Sequence, residues 1–218
     1  IHQVHARLMQ DVAEAPDVEP LLAEAERRTV LAGAGEGWAR VQLLRAQIAM
    51  AEGEFEDAER RLTAAVAGLE QNDSPVGVAD ARSRLAGLLH GQGRPLEAIE
   101  VVEAGLAQLD TPEPPATLEP LQRNGFSWYL AQLQRIGSRV CVELGEQDRA
   151  LELARRVVSR RQQLPDRAGL ADALYELAGL LADESPLEAV STYAAALDEA
   201  LLAGDAALDL VIRRERVW

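Results

Sequence analysis

The 218-residue sequence contains no lysine, so all 22 of its basic residues are arginine. A lysine Schiff base and the lysine of a phosphate-binding loop are therefore excluded within this chain. Aromatic residues make up only 4% of the sequence, although hydrophobic residues make up 48%. The apolar content consists mainly of alanine, leucine and valine, and the first two strongly favour helix.

Cysteine and long apolar runs are also scarce. The single cysteine, Cys141, cannot form a disulfide within the chain, which favours a reducing compartment, and we expect a cytoplasmic location. No run approaches about eighteen consecutive apolar residues, so no membrane span is predicted.

The 36 acidic residues give a net charge of −14. Because this charge repels phosphate backbones and anionic lipids, we expect this segment to bind neither nucleic acid nor a membrane surface.

What the sequence does contain is one pattern that occurs four times. The clearest copies are LAGLLHGQGRPLEA at 85–98 and LAGLLADESPLEA at 177–189, and weaker copies occupy 43–58 and 136–150. Each copy has an apolar stripe at helical spacing, a break of glycine or Ser-Pro, and a short stretch that ends on alanine. The closing alanines are 40, 52 and 39 residues apart. A period near forty with an internal break is typical of a helix–turn–helix repeat.

This pattern predicts a single repeat domain over residues 1–218. The predicted parts are a partial unit at 1–36, units at about 37–75, 76–110, 121–164 and 167–203, and the start of a further unit at 204–218. The proline-rich segment TPEPPATLEP at 111–120 cannot continue a helix and is interpreted as an insertion between units. The predicted fold class is all-α, a right-handed α-solenoid of stacked antiparallel helix-turn-helix repeats.

Local residue types account for the breaks and the helix crossings. Glycine is predicted to take the left-handed conformation that ends a helix at Gly53, Gly93 and Gly145. In the fourth unit, Ser185 is predicted to cap a helix, with Glu188 completing a capping box. Small residues are expected where two helices cross closely, namely Ala46 with Ala58, Ala86 with Ala98, Ala178 with Ala189, and Ser138 in the third unit.

These features resemble the tetratricopeptide repeat family over roughly residues 37–203. The small residue in each helix, the glycine before the turn and Phe55 in GEFEDA match its signature, and the period is most similar to the long variant of bacterial regulators and kinesin light chains. The family's early tryptophan is missing from all four units, and Arg45 and Gly137 stand where leucine is usual. The resemblance implies a scaffold that binds a peptide, a protein segment or another helix in a concave groove lined mainly by first helices.

The helical wheel separates a core stripe from a candidate binding row. The predicted core stripe of the third unit contains Tyr129, Leu133, Ile136, Gly137, Val140, Cys141 and Leu144. The candidate binding residues are Trp128, Gln132, Arg135 and Arg139 on the opposite stripe, with Arg40, Gln47, Asp80, Ser83, His90, Asp172 and Tyr175 at corresponding positions elsewhere. A tryptophan beside two guanidiniums suits an acidic or aromatic-containing partner. The alternative is that Trp128 packs under the insertion and the arginines are solvated.

Other patterns are weaker. The segment GAGEG at 33–37 falls where an inter-helix turn is needed and is not interpreted as a phosphate loop. His2 and His5 lie one helical turn apart but have no third ligand suggested nearby, so no metal is predicted. The arginines of RRVVSRR at 155–161 are expected to be solvated and paired with acids, and a local acidic partner is the alternative. Cys141 is expected to be buried and inert.

The predicted function is a non-catalytic protein or peptide interaction scaffold. The alternative is a regulatory or ligand-sensing segment of a larger bacterial signalling or transcriptional regulator, suggested by the absence of an initial methionine and by the unfinished C-terminal repeat. No nucleophile–base arrangement emerges, so neither enzyme activity nor a cofactor is predicted; an enzyme would require the groove to bind and convert a small molecule. Homo-oligomers are a further hypothesis, since uncapped array ends expose apolar surface.

Overall fold

The computed structural model describes residues 18–111, 113–205 and 211, and within these ranges it contains nine α-helices and no β-strand. The helices are α1 Val18–Leu31, α2 Gly35–Glu52, α3 Phe55–Gln71, α4 Pro75–Gly91, α5 Pro95–Leu109, α6 Pro120–Glu143, α7 Gln147–Arg161, α8 Arg167–Leu181 and α9 Pro186–Ala203. His2, His5 and nearly all of the predicted further unit at 204–218 lie outside the described residues.

Consecutive helices pack as antiparallel hairpins because each turn between them is short. The hairpins are α2 with α3, α4 with α5, α6 with α7, and α8 with α9, and α1 packs on α2. Neighbouring hairpins also pack together, since α3 contacts α4 and α7 contacts α8. The chain divides into two compact units, 1–110 with α1 to α5 and 111–218 with α6 to α9. The insertion at 111–120 begins at this boundary, and the interpretation of 1–218 as one domain stays a prediction.

Glycine forms the turn in three hairpins, as the sequence predicts. Gly53, Gly93 and Gly145 have φ angles of 80°, 72° and 77°, in the left-handed region where a side chain is strained. Gly33 and Ala34 of GAGEG likewise lie in an inter-helix turn, because α1 ends at Leu31 and α2 begins at Gly35; the last three residues of the segment form the first turn of α2.

The predicted capping box in the fourth hairpin is wrong. The Ser185 side chain makes no cap hydrogen bond, and its backbone amide donates to the Leu181 carbonyl oxygen at 2.8 Å instead. The turn is therefore closed by the backbone, and Pro186 starts α9 at a position where no amide proton is needed. A capping box does form at the start of α6, between Glu119 and Gln122.

Small residues line the helix crossings inside each hairpin. The residues at the predicted crossings are all buried: Ala46, Ala58, Ala86, Ala98, Ser138, Ala178 and Ala189. In the third hairpin the Ser138 hydroxyl donates to the Ala150 carbonyl oxygen at 2.8 Å, so serine fills the crossing and also finds a buried acceptor.

A second small position recurs nine residues before the crossing residue in three first helices, at Gly37, Gly77 and Gly169. A Cβ atom at any of them would lie closer than 3.0 Å to a neighbouring side chain: Thr29 for Gly37, Leu69 for Gly77, and Asp166 and Arg161 for Gly169. Side chains of the preceding helix or turn therefore pack against the start of each of these first helices, and a larger residue would require them to shift. This repeat position was not singled out from the sequence.

The core of the second unit is broader than the predicted stripe on α6. Leu133, Gly137, Val140 and Cys141 are buried as predicted, whereas Tyr129, Ile136 and Leu144 are partly exposed. Phe126, Leu130 and Ala131 are also buried, so α6 is covered on more than one side.

Candidate functional site

Six of the predicted binding residues lie in the second unit. We call these residues, together with Glu176, the polar row: Trp128, Gln132, Arg135 and Arg139 on α6, and Asp172, Tyr175 and Glu176 on α8. Arg139 is exposed, and the other six are partly buried. The row therefore joins the first helices of two successive hairpins.

Two arginines of α6 share one carboxylate of α8. Arg135 donates from Nε to Glu176 Oε2 at 2.8 Å and from Nη2 to Oε1 at 2.6 Å, and Arg139 donates from Nη2 to the same Oε1. The Arg135 side chain is 20% exposed and that of Arg139 is 53% exposed. Arg135 is thus held by a two-point contact, while Arg139 reaches solvent.

Burial and charge act in opposite directions on this cluster. Burial raises the pKa of Glu176, but the hydrogen bonds and charges of Arg135 and Arg139 outweigh it and hold the pKa below its usual value. Burial lowers the pKa of Arg135, but the hydrogen bond and charge of Glu176, with the charge of Asp172, raise it above the usual value. Glu176 and Arg135 are therefore both charged at neutral pH.

Trp128 packs against an arginine of α7, the second helix of the same hairpin. The guanidinium of Arg161 lies over the indole ring, 5.3 Å from its centroid, and Tyr129 meets Trp128 edge-on at 5.0 Å. Arg161 is almost fully buried and pairs with Asp166 at 2.6 Å. Burial lowers the pKa of Arg161, and the charge of Asp166 offsets this only in part.

The expectation that the arginines of 155–161 are solvated is wrong for two of them. Arg160 and Arg161 are only 7% and 3% exposed, whereas Arg155 and Arg156 are exposed. Arg160 donates from Nε to the side-chain oxygen of Gln134 at 3.2 Å and from Nη2 to the carbonyl oxygen of Thr111 at 2.7 Å. Acceptors on α6 and at the start of the insertion replace water, so burial of Arg160 is tolerated.

The two candidates on α8 have different surroundings. The Tyr175 ring packs against Tyr193 of α9, with centroids 5.7 Å apart, so its position is fixed by the fourth hairpin. Asp172 is partly buried, and its charge acts on Arg135 and on Arg161.

The remaining five candidates lie in the first unit. Arg40 is exposed and pairs with Glu36 at 2.8 Å on its own helix. Ser83 is buried, and its hydroxyl donates to the Asp80 backbone oxygen at 2.9 Å. His90 is partly exposed in the last turn of α4.

Gln47 and Asp80 meet at one arginine of the first unit. The Gln47 amide oxygen, in the orientation that satisfies both ends of the amide, accepts from Arg84 at 3.0 Å. Arg84 also forms an ion pair with Asp80 on its own helix. Two of the candidates thus contact the same guanidinium, and Arg84 itself was not among the sequence-predicted residues.

Within the described ranges, no group of three or more His, Cys, Asp or Glu side chains is placed to hold a metal ion, and no helix has the length and hydropathy needed to cross a bilayer. An open hollow of about 470 Å³ lies away from the polar row, where α7 meets the turn between α8 and α9. Acidic and basic residues both line it, including Arg155 and Glu184, so its charge favours neither an anionic nor a cationic ligand.

Comparison with known proteins identifies the architecture. No protein-family model matches the sequence, and no curated protein matches it in sequence. BtubC (BKLC) from P. vanneervenii has a similar structure, with a TM-score of 0.64 and 16% identity over 92% of this chain and 81% of that one. A kinesin light chain with nearly identical TPR-like repeats from Podosopora anserina gives a TM-score of 0.55 and 18% identity over 94% of this chain and 97% of that one. A single-substitution variant of it gives 0.58 and 18% over 94% and 96%.

This chain has a tetratricopeptide-like helical-repeat fold. The predicted fold class is therefore confirmed, since the hairpins, the absence of strands from the described residues and the structural neighbours agree. The identities are low, so the likeness concerns the fold, and the long-period bacterial subtype stays a prediction.

Proposed function

We propose that this chain is a non-catalytic scaffold that binds a peptide or a protein segment along the polar row. The observation that supports the proposal most is the combination of Trp128, Arg139 and Tyr175, which keep exposed surface while ion pairs and ring contacts hold the row in place. Tryptophan, tyrosine and arginine dominate binding hot spots, and a side chain that is already held loses less entropy on binding.

The row suits a partner with acidic or aromatic side chains. Arg139 offers a solvent-facing guanidinium, and the exposed parts of Trp128 and Tyr175 offer ring surface. The tetratricopeptide-like fold supports a helical scaffold of the kind that is typically used for protein interaction.

The test is peptide display against the purified chain, followed by affinity measurements on the recovered peptides. We expect Trp128→Ala to weaken binding at least about tenfold, because it removes the largest ring of the row, and Arg139→Ala to weaken it about fivefold. Arg139 is preferred to Arg135 for charge substitutions, because Arg135 is mostly buried and its loss would remove two of the three hydrogen bonds that Glu176 accepts.

The matched control is Arg156→Ala, since Arg156 is an exposed arginine of α7 that pairs with Glu152 on its own helix and lies outside the row. We expect this variant to bind like the parent. Recovery of no peptide by a folded chain, or equal effects of Arg156→Ala and Arg139→Ala, would contradict the proposal. Circular dichroism confirms that each variant is folded.

A second hypothesis, self-association, gains support from α9. Its exposed side chains include Leu187, Val190, Leu201 and Leu202, which are 90%, 56%, 52% and 65% exposed. Light scattering at two concentrations tests it, because a concentration-independent monomer mass would contradict the hypothesis. The regulatory-segment hypothesis and the cytoplasmic location stay predictions.

A further inference from the structure

We infer that Glu176 occupies the place of a partner carboxylate, and that an acidic side chain of the bound peptide contacts Arg139 in competition with it. The inference rests on the proposed function, because it names the chemistry of the partner that the polar row binds. The observation behind it is the unequal sharing of one carboxylate by Arg135 and Arg139.

Arg135 and Arg139 use Glu176 differently. Arg135 binds both carboxylate oxygens and is largely shielded from water. Arg139 makes one hydrogen bond to the carboxylate, through Nη2, and just over half of its side chain surface is exposed. A guanidinium has five N–H donors and prefers a two-point contact with a carboxylate. A carboxylate arriving from solvent can therefore take Arg139 while Arg135 keeps Glu176.

The local charge favours an acidic partner at this place. The whole chain has a net charge of −14, but residues 121–176, which include the whole polar row, contain nine arginines and seven carboxylates. An acidic peptide is repelled by most of the surface and repelled less by this part of the second unit, where positive charges are in slight excess. Asp172 and Glu176 are among these carboxylates and reduce the attraction, so removal of one of these charges is informative.

A basic partner fits the same contacts less well. Its ammonium or guanidinium would have to approach Glu176, which is 27% exposed and already accepts three hydrogen bonds from two arginines. It would also meet the exposed charge of Arg139. The structure thus favours a carboxylate over a cation as the group that the peptide presents here.

The experiment uses the tightest twelve-residue peptide from the display, labelled with fluorescein and measured by anisotropy against the whole chain. We expect Glu176→Gln to raise its affinity about threefold to tenfold, because the substitution removes a competing charge and keeps an amide oxygen for Arg135. We expect Arg139→Gln to lower the affinity by about fivefold, as for Arg139→Ala, and Arg139→Lys to lower it less. If Glu176 only stabilised the fold of the polar row, Glu176→Gln would lower the affinity for the peptide instead of raising it.

The peptide is varied as well, so the test does not depend on how well any protein variant folds. Replacing every Asp and Glu of the peptide by Asn and Gln should weaken binding and abolish its response to Glu176→Gln. Amidation of its C-terminus separates a terminal carboxylate from a side-chain carboxylate, and we expect amidation to have no effect.

The outcomes distinguish the two proposals. If Glu176→Gln weakens binding or leaves it unchanged while Trp128→Ala still weakens it as expected, the inference about Glu176 is overturned and the proposed function stands. The same holds if the neutral peptide binds as tightly as the acidic one. If no peptide is recovered at all, both proposals fail.

Discussion

The two units place polar residues at the same repeat positions and give them different charges. In the first unit, the residue after the crossing Ala46 is Gln47, and it contacts Arg84, two residues before the crossing Ala86. In the second unit, the residue after Ser138 is Arg139, and it contacts Glu176, two residues before Ala178. The hairpin geometry thus determines which positions are in contact, and the residue types at those positions determine the charge that is exposed to solvent.

The difference has a consequence for binding. In the first unit, Arg84 is neutralised by Asp80 on its own helix, and Gln47 adds an uncharged amide. In the second unit, two arginines share Glu176, and one of them is exposed. A charged partner is therefore better served by the second unit, although both units are built from the same kind of hairpin.

A buried glutamine is a feature that both units share. Gln42 and Gln134 each stand four residues before the crossing residue of a first helix. Gln42 accepts from Arg61 at 3.1 Å and Gln134 accepts from Arg160 at 3.2 Å, and both arginines belong to the second helix of the same hairpin. In each of these two hairpins, a side-chain hydrogen bond therefore links the first helix to the second.

The largest expected effect comes from breaking that bond where it is most buried. Gln134→Leu leaves the buried Arg160 without one of its acceptors, and we expect it to lower the free energy of unfolding by about 2–3 kcal/mol. Gln42→Leu should cost about 1 kcal/mol, because Arg61 is more exposed and keeps its ion pair with Asp57. Urea unfolding followed by circular dichroism measures both. Equal losses in the free energy of unfolding would show that the greater burial of Arg160 does not make its contact with Gln134 more important than the contact of Arg61 with Gln42.

The recurring glycine gives a second comparison. Gly169→Ala should lower the free energy of unfolding by about 2 kcal/mol, because the methyl group displaces the Asp166 carboxylate and Arg161 from their ion pair. Gly77→Ala meets the terminal methyl groups of Leu69, which can shift by rotation, so we expect a smaller loss; the gain in helix propensity of about 1 kcal/mol is common to both substitutions. Thermal unfolding of both variants should rank them in this order, and the reverse order would contradict the prediction.

The smallest effect is the contribution of Glu176 to the pH dependence of stability. The pKa of Glu176 in the folded chain lies below its usual value of 4.5, so its contribution is present above that value and is lost as the pH falls through the lowered pKa. We expect the parent to be about 1 kcal/mol more stable than Glu176→Gln at pH 7 and the difference to vanish on acidification. Urea unfolding from pH 7 to pH 3 measures it. A constant difference across this range would show that Glu176 does not stabilise the fold through its charge.

The sequence predicts the local features of the fold well. Turn glycines, crossing alanines and helical stripes depend on neighbouring residues, so the repeats could be located from their spacing alone. The capping box at Ser185 was wrong because the Ser185 amide already donates to the Leu181 carbonyl oxygen, so the donor that the Glu188 side chain would serve is taken.

The candidate site was harder to predict because it depends on the offset between hairpins. Glu176 was missed since its partner, Arg135, is 41 residues away in sequence. The burial of Arg160 and Arg161 was missed because arginine is normally solvated. Gln134, which accepts from Arg160, is 26 residues away in sequence, whereas Asp166, which accepts from Arg161, lies in the turn directly after α7. A glutamine at the same repeat position in two units was the available signal, and it went unused.

The use of arginine in place of lysine also limits how the polar row can be modified. Arginine stays protonated across the physiological pH range, and acetyltransferases act on amines, so acetylation has no side-chain target in a sequence without lysine. Amine-reactive cross-linkers will likewise find no side chain on this surface. Mapping of a complex therefore calls for carboxylate-directed or photoactivated reagents, with the label placed on the partner.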